Sequence, residues 1–154
     1  MSKKAAEVIV EVLQSAGVKH CYGIVGDTLN TFATGLSHSA FTFGSMADLV
    51  ARYRTLREAS IEPRVPIQHG MTTSLYYRDP DGNAVELQID NFASADEATS
   101  YMNGPEFAED PVGPTFDAAA LADAFDAGVP VPELTTRRWA ARSPQADPFA
   151  LLLG

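Results

Sequence analysis

His69, Tyr76 and Glu86 stand in one short stretch, HGMTTSLYYRDPDGNAVEL, with an acidic turn between the second and the third. An imidazole, whose ordinary pKa lies near neutrality, can take and return a proton. A phenol can donate a hydrogen bond, and a carboxylate can hold a divalent cation. Glu86 is the position that asks for an explanation, because Val85 and Leu87 flank it in what reads as a half-buried strand.

The elements that must position these groups follow from local pattern. TTSLYY and AVELQI alternate on either side of RDPDGN, and Asp-Pro with Asp-Gly-Asn is turn chemistry, so the stretch reads as a hairpin. Upstream, HSAFTF also alternates, with His38, Ala40 and Thr42 on one face. Ser45 followed by Asp48 is a weak capping box, and it opens a helix with Met46, Leu49, Val50, Tyr53 and Leu56 on one stripe. RVPIQH is a short strand in which Pro66 implies an edge or a bulge. From Ser37 to Asp90 the expected order is therefore β-α-β-β-β.

The alternation then sorts the faces. Val85, Leu87 and Ile89 pack on the helix, which leaves Ala84, Glu86 and Gln88 opposite, beside Thr72, Ser74 and Tyr76 and beside His38. His38, Tyr76 and Glu86 can converge there. A histidine and a carboxylate on neighbouring strands, with waters or a further protein ligand, can form the two-His-one-carboxylate site of non-haem iron. The same pattern also suits a solvated polar face, a hydrogen-bonded structural histidine, and a Glu86–Arg78 pair across the hairpin.

The flanks are less informative. Residues 4–16 carry Ala5, Val8, Ile9, Val12 and Leu13 at helical spacing up to Gly17, VKHCYGIVG reads as a buried strand, and Asp27 caps a second helix. Beyond Asn91, Ser94–Met102 reads as a short helix with Glu97 at its third position, NGPEFAEDPVGP as a connector, and Phe116–Ala127 as another helix. The remainder is expected to be irregular, with a tail that wraps the domain or a partner and ends in disorder.

Composition narrows the classes. A chain of 154 residues, 45% hydrophobic and 20% charged, has room for one ordinary domain with a core. Eleven Lys and Arg against twenty Asp and Glu give a formal charge of −9, which disfavours nucleic acid and anionic membrane surfaces as partners. The single Cys21 excludes an internal disulfide and a multi-cysteine zinc site. No apolar run approaches the roughly 20 residues that span a bilayer, and Glu7 and Glu11 interrupt what would be a signal core, so the expectation is a cytoplasmic protein.

IQHGMTTSLYYRDPDGNAVE resembles the signature of type I extradiol ring-cleaving dioxygenases, members of the vicinal-oxygen-chelate superfamily. That signature is a His, a Tyr after an apolar residue, Asp-Pro-x-Gly and a Glu, here His69, Leu75–Tyr76, Asp79-Pro80-Asp81-Gly82 and Glu86. GLSHSAFTF resembles the metal-binding first strand of the same module, and the likeness covers about residues 36–140, on the biphenyl-2,3-diol dioxygenase-like side of the family. The resemblance implies an α+β fold and a catechol-type aromatic diol cleaved with O2. It also implies Fe(II), or alternatively Mn(II), held by His38 and Glu86. His69 would then be the acid/base and Tyr76 a hydrogen-bond donor to the bound diol.

The chain departs from that family where a preceding module should supply another histidine. Residues 3–34 instead resemble the helix-strand-helix start of thiamine-diphosphate-dependent enzymes of the pyruvate oxidase type, AGVKHCYGIVGDTLN most of all. The coenzyme-activating Glu of those enzymes has no counterpart, so no thiamine diphosphate is expected. The expected division is an α-β-α appendage at 1–35, a vicinal-oxygen-chelate module at 36–91 and a tail at 92–154. Two ligands fall short of the three that iron needs, so a homodimer is expected to complete the site, with His20 as the other source of a donor. A glyoxalase-like metal enzyme, a bleomycin-resistance-like ligand-binding dimer without turnover and an inactive composite fragment are the competing readings.

Overall fold

The computed structural model of the chain describes residues 38–80 and 82–153. The helix read at 4–16, the strand at 18–26, the cap at Asp27 and the whole thiamine-enzyme-like segment lie outside the described residues, as does His20.

The expected β-α-β-β-β order is present. Strand β1 (His38–Phe43) leads into helix α1 (Met46–Glu58), followed by β2 (Val65–Gln68), β3 (Thr72–Arg78) and β4 (Ala84–Asp90). The strands form one sheet in the order β1-β4-β3-β2, with β1 parallel to β4 and the other pairs antiparallel. The Ser45 hydroxyl accepts from the Asp48 N–H and so starts α1, as the capping pattern implies. Residues 79–83 close the hairpin: Asp79 accepts from the Asn83 backbone and side-chain amides through its two carboxylate oxygens, both at 2.8 Å.

One face of the sheet builds the main core. Leu75, Tyr77, Leu87 and Ile89 pack against Met46, Leu49, Val50 and Tyr53 of α1, with Val85 partly buried beside them. Burial of these side chains supplies the main drive for folding.

The tail holds more helix than its composition implies. After α2 (Ala95–Met102), capped by Ser94, the connector contains α3 (Pro105–Glu109). The helix expected from Phe116 begins at Ala118, because Asp117 turns its carboxylate onto the Ala119 and Ala120 amides and becomes the cap of α4 (Ala118–Asp126). Phe116 instead packs edge-on against Trp139 in the core. The end expected to be irregular carries α5 (Val131–Leu134), α6 (Arg137–Ala140) and α7 (Pro148–Leu153). Short helices with a few apolar anchors lack the sustained periodicity that makes a helix visible in sequence.

The expected wrapping is observed within the chain. Leu121, Ala122, Leu134 and Trp139 join the same core as α1, and Arg54 of α1 pairs with Asp126 of α4. Residues 114–116 run along the free side of β2: Gln68 N–H donates to the Pro114 carbonyl and Phe116 N–H to the Pro66 carbonyl. Pro66 thus sits in an edge strand, with its missing N–H on the side facing the tail, where no sheet bond is lost. The tail covers that edge and removes an open template for pairing. Among the described residues no helix is long and apolar enough to cross a membrane.

Candidate functional site

The antiparallel register sets Tyr76 directly opposite Glu86. Because side chains alternate along each strand, both project from the face turned away from α1. In parallel register, His38 stands opposite Ala84 and Ala40 opposite Glu86, so His38 takes a position on the same face, one pleat from the glutamate. The Gln88 amide donating to the Thr42 hydroxyl at 3.0 Å ties β4 to β1 across this face. The expected sorting of the two faces holds here. It needs one refinement: Val65 and Ile67 of β2 also point this way, and with Val112 they bed the Tyr76 ring in apolar contact.

His69 lies just after β2, where the chain turns toward β3. Its Nδ1 is 2.6 Å from the Val112 carbonyl, and its Nε2 is 2.9 Å from the Tyr76 hydroxyl. A carbonyl only accepts, so Nδ1 carries a proton and Nε2 is the nitrogen that shares a hydrogen bond with Tyr76. Glu86 stands opposite Tyr76 in the register, close enough for its charge to act on the hydroxyl. Val112, His69 and Tyr76 therefore form one hydrogen-bonded chain, with the Glu86 carboxylate beside its end. When the phenol proton points at Nε2, the imidazole is neutral.

Tyr76 is 6% exposed and Glu86 4%. Burial first, then the neighbouring Glu86 charge, push the Tyr76 hydroxyl far above its ordinary range. Across the neutral range it is a donor and not a base. The turn holding His69 rests on a second polar cluster. Buried Gln68 donates to the Thr73 hydroxyl, which donates to Asn91, while Asn91 returns hydrogen bonds to Gln68 and to the Gly70 carbonyl.

Three of the four site residues read from the sequence, His69, Tyr76 and Glu86, are thus brought together, and His38 occupies the matching register position. The chemistry of this donor set suits a divalent cation in part. An imidazole and a carboxylate are ligand types of a facial triad, yet among the described residues no group of three His, Cys, Asp or Glu stands together to hold a metal ion. Next to the site, on the same face, a hollow of about 410 Å³ has Thr42, Thr72, Gln88, Phe92 and Met102 in its lining. Val112, Gln68, Asn91 and Arg137 escaped the sequence reading. Gln68 and Asn91 lie at strand ends, where a buried polar side chain looks like loop, and Val112 contributes only a carbonyl, for which no residue type is a signal.

Residues 4–87, more than half of the chain, match the model of the Glyoxalase/Bleomycin resistance protein/Dioxygenase superfamily. The match runs upstream of residue 36, so the segment that resembles thiamine-diphosphate enzymes falls largely inside it. The chain is 58% identical to biphenyl-2,3-diol 1,2-dioxygenase 3 of Rhodococcus globerulus over 119 residues, 77% of this chain and 63% of that protein. It is also 58% identical to biphenyl-2,3-diol 1,2-dioxygenase 2 of the same organism over 111 residues, 72% of this chain and 58% of that one. It therefore spans about three fifths of the length of these relatives.

Proposed function

The chain belongs to the glyoxalase, bleomycin resistance protein and dioxygenase superfamily, and we propose that it is one module of a cytoplasmic extradiol dioxygenase cleaving a catechol-type aromatic diol with O2. The observation that carries this reading is the Tyr76 hydroxyl hydrogen-bonded to His69 Nε2 and set opposite Glu86 on one face of the sheet.

In this reading His38 and Glu86 hold Fe(II), with Mn(II) the alternative, and a second copy of the module supplies the missing donor. Such a cation would supply Lewis-acid activation of the diol oxygens and of O2. The protein does the rest. The hollow beside Gln88 and Phe92 receives the aromatic ring. Tyr76, kept protonated, donates a hydrogen bond to a diol oxygen and orients it. His69 Nε2 takes the hydroxyl proton and returns it after ring opening, while its Nδ1–H stays on the Val112 carbonyl and fixes the ring. The division into an appendage at 1–35, a module at 36–91 and a tail belongs to the same proposal.

Anaerobically purified protein tests this reading through mass, metal content and turnover. The expected outcome is a homodimer that retains iron in the wild type and loses it in His38→Ala and Glu86→Ala. The wild type gives yellow ring-fission product from 2,3-dihydroxybiphenyl under air, and His69→Phe keeps the metal but is slower by on the order of 10²-fold or more. Equal iron in all four proteins removes the ligand assignment. Diol binding without metal or product replaces the oxygenase by a ligand-binding module of the bleomycin-resistance kind.

A further inference from the structure

Much of what fixes the turn at residues 68–70 from outside the sheet comes from the tail. The Val112 carbonyl takes the His69 Nδ1–H at 2.6 Å. Arg137, at the start of α6, donates from Nη2 to the His69 carbonyl at 2.6 Å and from Nη1 to the Asp110 and Glu106 carbonyls at 2.7 and 3.3 Å. One guanidinium fork thus ties the loop carrying Val112 to the residue whose ring Val112 holds. The same guanidinium lies over the Tyr101 ring, 5.6 Å from its centre.

Two glycines make these approaches possible. A Cβ on Gly113 would stand 2.1 Å from the Gln68 carbonyl oxygen, and Gly113 has φ +91°. A Cβ on Gly70, also at φ +91°, would stand 2.1 Å from the Tyr101 hydroxyl. In both places backbone meets tail at a distance that a side chain would forbid. The Tyr101 hydroxyl and the Arg137 Nε are buried without a hydrogen-bond partner. Leaving two donors unsatisfied has a cost, and the close seat it permits against Gly70 and His69 is what the arrangement gains.

We propose that the segment from Tyr101 to Arg137 is a strap that sets the position and the tautomer of the His69 imidazole, with Arg137 as its principal positioning residue. Arg137 touches no reacting atom and acts through the His69 backbone and the Val112 loop. The inference deepens the reading of His69 as the acid–base group and rests on it for its consequence in turnover; the strap itself can be observed without metal, substrate or activity.

The test is a two-bond proton–nitrogen correlation spectrum of metal-free protein labelled at its three histidines, with His69 assigned by loss of its signals in His69→Gln. The wild type is expected to show a slowly exchanging Nδ1–H on His69. Arg137→Ala should turn this into an exchange-averaged ring, and in the dioxygenase assay should lower kcat on the order of 10- to 100-fold with little change in KM. Arg137→Lys can reach the His69 carbonyl but not all three carbonyls, so it should restore the resonance only partly. Gly113→Ala should disturb the same resonance while leaving every charge in place. Arg142→Ala, which breaks the surface pair with Glu133, should leave it untouched.

His69 signals that stay as in the wild type in folded Arg137→Ala or Gly113→Ala overturn the strap. If those two variants do not fold, an unchanged spectrum in Arg137→Lys overturns it equally. A wild type with the expected Nδ1–H but no turnover of any diol refutes the dioxygenase reading and leaves the strap standing. Normal turnover beside unaltered His69 spectra in the variants does the reverse.

Discussion

Tyr76 and Tyr77 are neighbours in β3 that project from opposite faces of one sheet. Both are almost fully buried. The Tyr77 hydroxyl enters the apolar layer beneath α1 and finds no hydrogen-bond partner, whereas the Tyr76 hydroxyl bonds to His69 and lies opposite Glu86. Burial alone therefore does not mark the site. On the α1 side a polar atom is tolerated at the end of a large ring because the ring's apolar area outweighs it. On the other side the ring is bedded by Val65, Ile67 and Val112 so that its hydroxyl reaches two titratable groups. The difference separates a face packed for stability from one that gathers titratable groups around a buried hydroxyl.

The largest effect should come from the stability face. Leu75, also in β3, is 1% exposed, and Leu75→Ala should lower unfolding free energy by about 2–5 kcal/mol. In urea the midpoint should fall with little change in slope. Glu86→Gln, one strand away on the other face, should move that midpoint far less while removing bound metal. A larger loss for Glu86→Gln than for Leu75→Ala would erase the contrast.

The paired tyrosines sharpen it. Tyr76→Phe removes the hydroxyl that bonds to His69 Nε2 and should cost about 1–2 kcal/mol. Turnover should fall with it while metal content stays near that of the wild type. Tyr77→Phe removes only an unsatisfied hydroxyl, so it should be neutral or stabilising by up to about 1 kcal/mol. Equal and opposite outcomes for the two would show that the faces have been assigned the wrong way round.

The smallest effect is on alkaline stability. Tyr53, Tyr76, Tyr77 and Tyr101 all have hydroxyls raised above the ordinary value of 10.0, with burial as the leading cause in each. The unfolded chain therefore releases these protons first. Below about pH 10 both states hold them and stability is unaffected; above it the unfolded state binds fewer protons, so stability falls as pH rises. Urea midpoints at successive pH values should decline more gently above 10 in Tyr76→Phe and Tyr77→Phe than in the wild type. A decline that is as steep in both variants would remove burial of these two rings as its cause.

Much of the site was legible before the fold. Asp79 and Asn83 make the turn that brings Tyr76 opposite Glu86, and Ser45 with Asp48 starts the helix that claims Leu87 and Ile89. Each of these is a rule spanning two to five residues. The start of α4 differs from the expected Phe116 because Phe116, as apolar as a helix residue, gives its backbone to the edge of β2, and Asp117 makes the cap.

The sequence by itself determined which side of each strand Tyr76 and Glu86 would occupy, since strand periodicity and turn chemistry are local. Only the tertiary structure decided what holds His69. Among the described residues, Val112 and Arg137 support it from 43 and 68 residues away, through a carbonyl lone pair and a guanidinium fork on backbone oxygens. Such contacts depend on where the tail crosses the sheet edge, and no pattern of residue types records that course.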